Sequence, residues 1–312
     1  MMSDALNVAL RLALYIDLLL LFGIAAFGLC SLRQCEPPAA TLSRLRSLLA
    51  GTAFVGLALA LANMWLLAML MSGETAPAAL WAHIAMMLTD TDMGQAWAVR
   101  IAAITLAGLA MVFSRQRPTA CLGIAMLGGA VAVATLAWNG HGAMDEGERR
   151  FWHFTADILH LWAAGGWLGA LVVFGLLLRP SRLTNLQQVE LLSRSLAGFG
   201  LTGSAIVITL SVTGIVNYLF IVGPTLNAIA YSLYGQLLLA KLALFACMIG
   251  FASLNRFRLG PRLESALLAG DHPQATQDIR RSVTLELGAA LLIIAIVAWL
   301  GTLSPEMEMA LP

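Results

Sequence analysis

Apolar stretches of about 20 residues recur along the chain, each long enough for an α-helix to cross the hydrocarbon core of a bilayer. They lie close to 6–30, 47–72, 94–114, 119–138, 152–178, 196–221, 235–254 and 283–303. Between them the pattern turns polar and gathers helix breakers: Pro37-Pro38, Pro77, Pro118, Asn139-Gly140, Pro180, Gly223-Pro224 and Gly260-Pro261. The pattern predicts an all-α, polytopic membrane helix bundle of about eight transmembrane helices, forming a single integral membrane domain over residues 1–312. The longest connection, about 255–282, sets Glu264, Asp271 and Asp278 among arginines and is expected to carry a short surface helix.

Composition agrees with that reading. Hydrophobic residues make up 60% of the chain and charged residues 11%, against about 25% charged in soluble domains. A net charge of +1, with no basic run longer than two arginines, speaks against nucleic acid as a partner. The four cysteines form no paired framework. Ahead of the first span stand Asp4 and no basic residue, so no cleavable signal is expected. No glycine-rich phosphate loop, CxxC or HExxH motif occurs, and the chain is not expected to be an enzyme.

Arginine placement predicts orientation. The odd-numbered loops hold Arg33, Arg44, Arg46, Arg115, Arg117, Arg179, Arg182, Arg194, Arg256, Arg258, Arg262, Arg280 and Arg281. The other side holds Arg149 and Arg150 among Glu74, Asp90, Asp92, Asp145, Glu146, Glu148, Glu306 and Glu308. Both termini are therefore expected on the periplasmic side of a bacterial inner membrane.

Ionisable groups inside apolar helices are costly and either pair or line a polar path. His153, Asp157 and His160 stand at i, i+4 and i+7 of the fifth span, on one helix face, with His141 in the turn before them. A single buried histidine is ordinary packing; two imidazoles with a carboxylate between them suit a metal or proton path. Arg11, Asp17, Arg100, Lys241 and Glu286 also lie at membrane depth. The bland expectation for Arg11, Arg100 and Glu286 is neutralisation by opposite charges on neighbouring helices, with Arg256, Arg280 or Arg281 reaching Glu286. Arg100 and Lys241 are expected to counter Asp157. His83, Met86 and Met87 form a weaker candidate group, at three- and four-residue spacing on a short surface helix. Methionines such as Met64, Met69 and Met93 map to the outer half, and Cys30, Cys35, Cys121 and Cys247 toward the inner half. Thioether, imidazole and thiolate all bind copper, although methionine fills apolar gaps as readily.

Several stretches resemble the CopD/PcoD family of inner-membrane copper resistance and copper uptake proteins. They are Trp138-Asn139-Gly140-His141-Gly142-Ala143, the HxxxDxxH run from His153 to His160 with its Gly165-Gly166-Trp167 tail, and Thr213-Gly214-Ile215-Val216-Asn217. Tyr234-Gly235-Gln236 through Lys241, continuing to Asn255-Arg256 and Pro261, and the group Thr91, Gly94, Trp97 and Arg100 complete the likeness, which is densest from 138 to 262. The resemblance implies copper movement across the inner membrane, with a periplasmic copper-binding partner resembling CopC and membrane lipid as the surroundings. Copper would first meet His141 and His153, then Asp157 and His160 about 10 Å deeper. Two other readings stay open. A b-type haem oxidoreductase would use axial histidines, but His153 and His160 share one helix and cannot grip a haem from opposite faces. A non-transporting membrane partner of a periplasmic copper-binding protein is the third.

Overall fold

Inside hydrocarbon a backbone has only itself to hydrogen-bond, and in the computed structural model every apolar stretch accordingly forms a helix. The structure describes residues 2–32, 35, 37–74, 76–114, 116–140, 145–179, 185–223 and 232–303, and no strand occurs among them. The helices are α1 (Met2–Phe27), α2 (Ala39–Ser72), α3 (Pro77–Asp90), α4 (Asp92–Val112), α5 (Pro118–Ala134), α6 (Gly147–Leu177), α7 (Leu186–Ile221), α8 (Leu233–Leu254), α9 (Gly260–Ala269) and α10 (Pro273–Leu300). Eight of the helical segments are long and apolar enough to cross a membrane, in the places the hydropathy pattern predicts.

Local chemistry sets the ends. Pro77 and Pro118 occupy first helical positions, where a missing N–H costs nothing. The side chains of Thr91, Asn185 and Ser232 accept from backbone N–H groups of Gly94, Gln187 and Gly235 and so cap α4, α7 and α8. Gly73 closes α2 with φ of 69°, a conformation that disfavours side chains. The expected surface helix is α9, reached from α8 through a π-turn over Asn255–Leu259.

Arg11 Nη1 in the first half of α1 donates to the Gly301 carbonyl just past α10, 3.0 Å away, so the N-terminal half of α1 and the end of α10 lie at the same end of the bundle. Helix α1 is the central element, packed by α2, α5, α6 and α10. Its tightest crossing is with α6. A Cβ placed on Gly23 would overlap the Gly165 carbonyl oxygen, and one on Gly169 would overlap the Gly23 backbone. Small residues let membrane helices approach this closely, where dispersion contacts and not hydrophobic exclusion hold them. Gly165 and Gly169 of the fifth span thus face α1 and turn its opposite face toward the other helices.

Packing thins toward the other side. The apolar window of α1 is 61% buried, against 11% for α7 and 6% for α8. Helix α7 packs mainly on α6 and α8 on α10, which leaves a cleft between α7 and α8. A separate small core of Met64, Ala68, Leu80, Ile84 and Met87 joins α2 and α3.

Gly23→Val is expected to destabilise the bundle by about 1–3 kcal/mol through overpacking. Gly51→Ala, where no atom stands within 4 Å of the added carbon, is expected to leave stability equal or slightly higher. Thermal unfolding of both variants in detergent checks this, and equal melting temperatures would contradict the crossing.

Candidate functional site

Helix α6 carries the site, and its first turns are tied on several sides. Arg150 reaches Asp92 at the head of α4, 2.5 Å away, and Arg149 Nη2 donates to the Phe220 carbonyl near the end of α7 at 2.7 Å. Phe154 meets Trp138 edge to face, with ring centroids 4.7 Å apart. With glycine against α1 on the far side, the near face of α6 is held toward α7.

His153 is 1% exposed and stacks on the Phe220 ring at 5.0 Å. Its Nδ1 lies 2.6 Å from Asp145 Oδ2, and its Nε2 lies 3.9 Å from Asp157 Oδ2 with no hydrogen-bond partner. A carboxylate on Nδ1 holds that proton, which leaves Nε2 of the neutral ring as a lone-pair nitrogen. Asp145 is anchored in turn by Arg149 Nε at 3.0 Å.

Asp157 sits one turn along. Asn217 Nδ2 of α7 donates to its Oδ1 at 2.7 Å, so Oδ2 is the oxygen turned toward His153. The Oδ1 of Asn217 is itself buried without a partner. His160 follows with Nδ1 2.9 Å from Thr213 Oγ1. The Thr213 hydroxyl donates to the Thr209 carbonyl at 2.6 Å, so its oxygen accepts from His160 Nδ1–H. Nε2 is then the lone-pair nitrogen of His160 as well. Lys241 of α8 stands within electrostatic reach of both Asp157 and His160. The face therefore presents imidazole nitrogen, carboxylate oxygen and imidazole nitrogen in succession. Buried polar atoms without partners, here His153 Nε2 and Asn217 Oδ1, mark places where an ion or water completes the set. Among the described residues no three His, Cys, Asp or Glu side chains converge on one point, so the face is a succession of partial sites.

Several expectations are corrected. Arg100, 1% exposed, turns to Thr135 and not to Asp157: Nε donates to Thr135 Oγ1 at 2.8 Å and Nη2 to the Thr135 carbonyl at 3.0 Å, with Asn139 Oδ1 at 3.4 Å. Arg11 donates to the carbonyls of Gly301 and Asn139 and to Tyr15 Oη. Glu286 accepts from Trp167 Nε1 at 2.6 Å and Asn255 Nδ2 at 3.1 Å, while Arg256 is spent on the Gly200 carbonyl and Ser204. Frayed carbonyls and neutral side chains replace the expected countercharges, because helix ends and kinks expose acceptors at that depth. His141 lies outside the described residues. His83, Met86 and Met87 share α3, but Met87 is 1% exposed in the small core and Met86 is 45% exposed, so the two sulfurs point apart.

Asp145, Thr213, Asn217 and Phe220 were not singled out as functional from sequence. Asp145 reads as one more outer-loop charge, and Thr213 and Asn217 carry only family likeness. The available signal was their spacing: positions 213, 217 and 220 repeat on α7 the i, i+4, i+7 pattern of 153, 157 and 160 on α6.

Two family models match the chain: "Copper resistance protein D-like, N-terminal domain" over residues 2–151, and "Copper resistance protein D" over residues 193–300. The chain is 52% identical over 307 residues to Copper resistance protein D of Pseudomonas syringae pv. tomato, covering 98% of this chain and 99% of that protein. It is 32% identical over 174 residues to Inner membrane protein YebZ of Escherichia coli (strain K12), covering 54% of this chain and 55% of that one. No solved structure matches the chain.

A double-mutant cycle of Asp157→Ala and Asn217→Leu, read by thermal unfolding, is expected to show a coupling of about 1.5–3 kcal/mol, the worth of a hydrogen bond to a charged group. Additive effects would remove the α6–α7 clasp from this account.

Proposed function

This chain belongs to the copper resistance protein D family, and from that premise we propose that it moves copper from the periplasm toward the cytoplasm along the α6 face. It does so as a carrier without enzymatic chemistry, contributing to copper homeostasis and resistance. The observation that supports this reading is that both histidines are engaged through the same ring nitrogen. Asp145 and Thr213 engage His153 and His160 through Nδ1, so each ring offers Nε2 along the path, with Asp157 Oδ2 between them. Imidazole suits copper in either common oxidation state, and a carboxylate adds charge for the more oxidised form.

Arginine asymmetry supports an orientation with the His153 end of the bundle in the periplasm. Copper arrives there from a periplasmic copper-binding protein resembling CopC, meets His141 and His153, and passes to Asp157 and His160. Lys241 balances Asp157 while the path is empty and withdraws its influence once a cation arrives. His83, Met86 and Met87 are left as a weaker outer contact, with Met86 its exposed sulfur.

Proteoliposomes containing the purified protein alone are expected to take up copper, and His160→Ala is expected to abolish most of that uptake. Full uptake by His160→Ala would overturn the path, and no uptake by the wild type would favour a docking role for a periplasmic partner. Thr213→Val removes the acceptor that orients His160 and is expected to weaken copper binding about 10–100-fold. Direct titration of the purified protein with copper checks this; unchanged affinity would detach Thr213 from the site.

A further inference from the structure

Two turns beyond His160 the same α6 face reaches Trp167, about 10 Å deeper along the helix. There the cleft between α7 and α8 widens into a cavity of about 640 Å³, whose wall includes Trp167, Ser204, Asn255, Arg256 and Glu286. Among the described residues no histidine, cysteine or methionine lines it, so its metal-ligand atoms are oxygens in an apolar frame and do not suit copper in its soft, reduced form.

Glu286 is 2% exposed at this cavity, with Trp167 Nε1–H on one carboxyl oxygen and Asn255 Nδ2–H on the other. Among the described residues no basic side chain forms an ion pair with it. Arg256 in the cavity wall is committed to the Gly200 carbonyl and Ser204. On α9, Glu264 joins the wall and Arg262 is exposed. On α1, Asp17 turns to Gly56 of α2, and Arg11 is held at the opposite end of the bundle by Gly301 and Asn139. Two neutral donors do not cancel a buried negative charge. An isolated carboxylate in an apolar frame neutralises by taking up a proton, and both Glu286 oxygens already hold a neutral donor. The second observation is the Asn255 amide, whose Oδ1 is buried and without a partner. An amide can present either end: Nδ2–H donates to a carboxylate, and Oδ1 accepts from a carboxylic acid.

We propose that Glu286 is a proton-exchange site, served with water by the α7–α8 cavity and coupled to copper on the α6 face. In the exchange the Glu286 O–H bond breaks, the proton passes to cavity water, and the carboxylate is held by Trp167 and Asn255. Uptake reverses these steps, with Asn255 turning its carbonyl oxygen to the acid. Copper arriving two turns away supplies positive charge that replaces the proton. Only this coupling rests on the copper reading; the exchange itself does not.

Infrared difference spectra of the full-length protein in detergent, recorded between alkaline and acidic pH, test it. The wild type is expected to gain a protonated-carboxyl C=O band that downshifts in heavy water. The band is absent from Glu286→Gln, retained in Asp17→Asn, and moved to higher frequency in Trp167→Phe, where one hydrogen bond to the carboxyl is lost. Identical spectra for wild type and Glu286→Gln would overturn the exchange. Copper added at constant pH is expected to remove the band in the wild type. If copper binds and the band stays, the coupling is overturned; if copper does not bind, the copper reading fails while the pH-dependent band still reports Glu286.

Discussion

A polar group sunk in hydrocarbon has to be satisfied by the protein around it, and in this bundle the satisfaction comes mostly from neutral partners. Arg100 is held by Thr135 and Asn139, Arg11 by two carbonyls and a tyrosine, Glu286 by an indole and an amide, and Asp157 by an amide. Neutral donors and acceptors meet the hydrogen-bonding demand but leave the charges standing. A membrane protein meant only to be stable would gain from cancelling them, since removing one member of a buried pair is what costs most. On the function proposed above, the carboxylates on the inner faces keep their capacity for a cation that comes and goes.

Helix α6 organises this arrangement because its two faces are chemically opposite. One is glycine, pressed against α1 closely enough that a single added carbon at Gly23 or Gly169 would collide with backbone. The other is His153, Asp157, His160 and Trp167, turned toward the loosely packed α7–α8 side. Rigid backing with a loose front fits the proposed path, which would hold donor atoms in place yet let a cargo pass. The small α2–α3 core uses Met64 and Met87 for packing, which leaves Met86 as the exposed sulfur of the His83 group.

The spans were legible in the sequence because hydropathy alone sets where a backbone can cross a bilayer, and the His–Asp–His face was legible because helical spacing fixes it. The partners were not. Asp157 meets a residue 60 positions away and Arg100 one 35 positions away, and hydropathy carries no record of which helices touch. The expectation that Arg11, Arg100 and Glu286 are met by opposite charges failed for a physical reason. Carbonyls at the ends of helices, such as those of Thr135, Asn139 and Gly301, are acceptors at the same depth, and reading charges alone does not count them.

The central claim is that copper binds the α6 face through imidazole nitrogens presented by His153 and His160. X-ray absorption at the copper edge of the copper-loaded, full-length protein tests it most directly. The account predicts a first shell of nitrogen and oxygen with the outer scattering of imidazole rings, reduced when His153 and His160 are both replaced by alanine. A first shell of sulfur alone, or a spectrum unchanged by that double replacement, would contradict it.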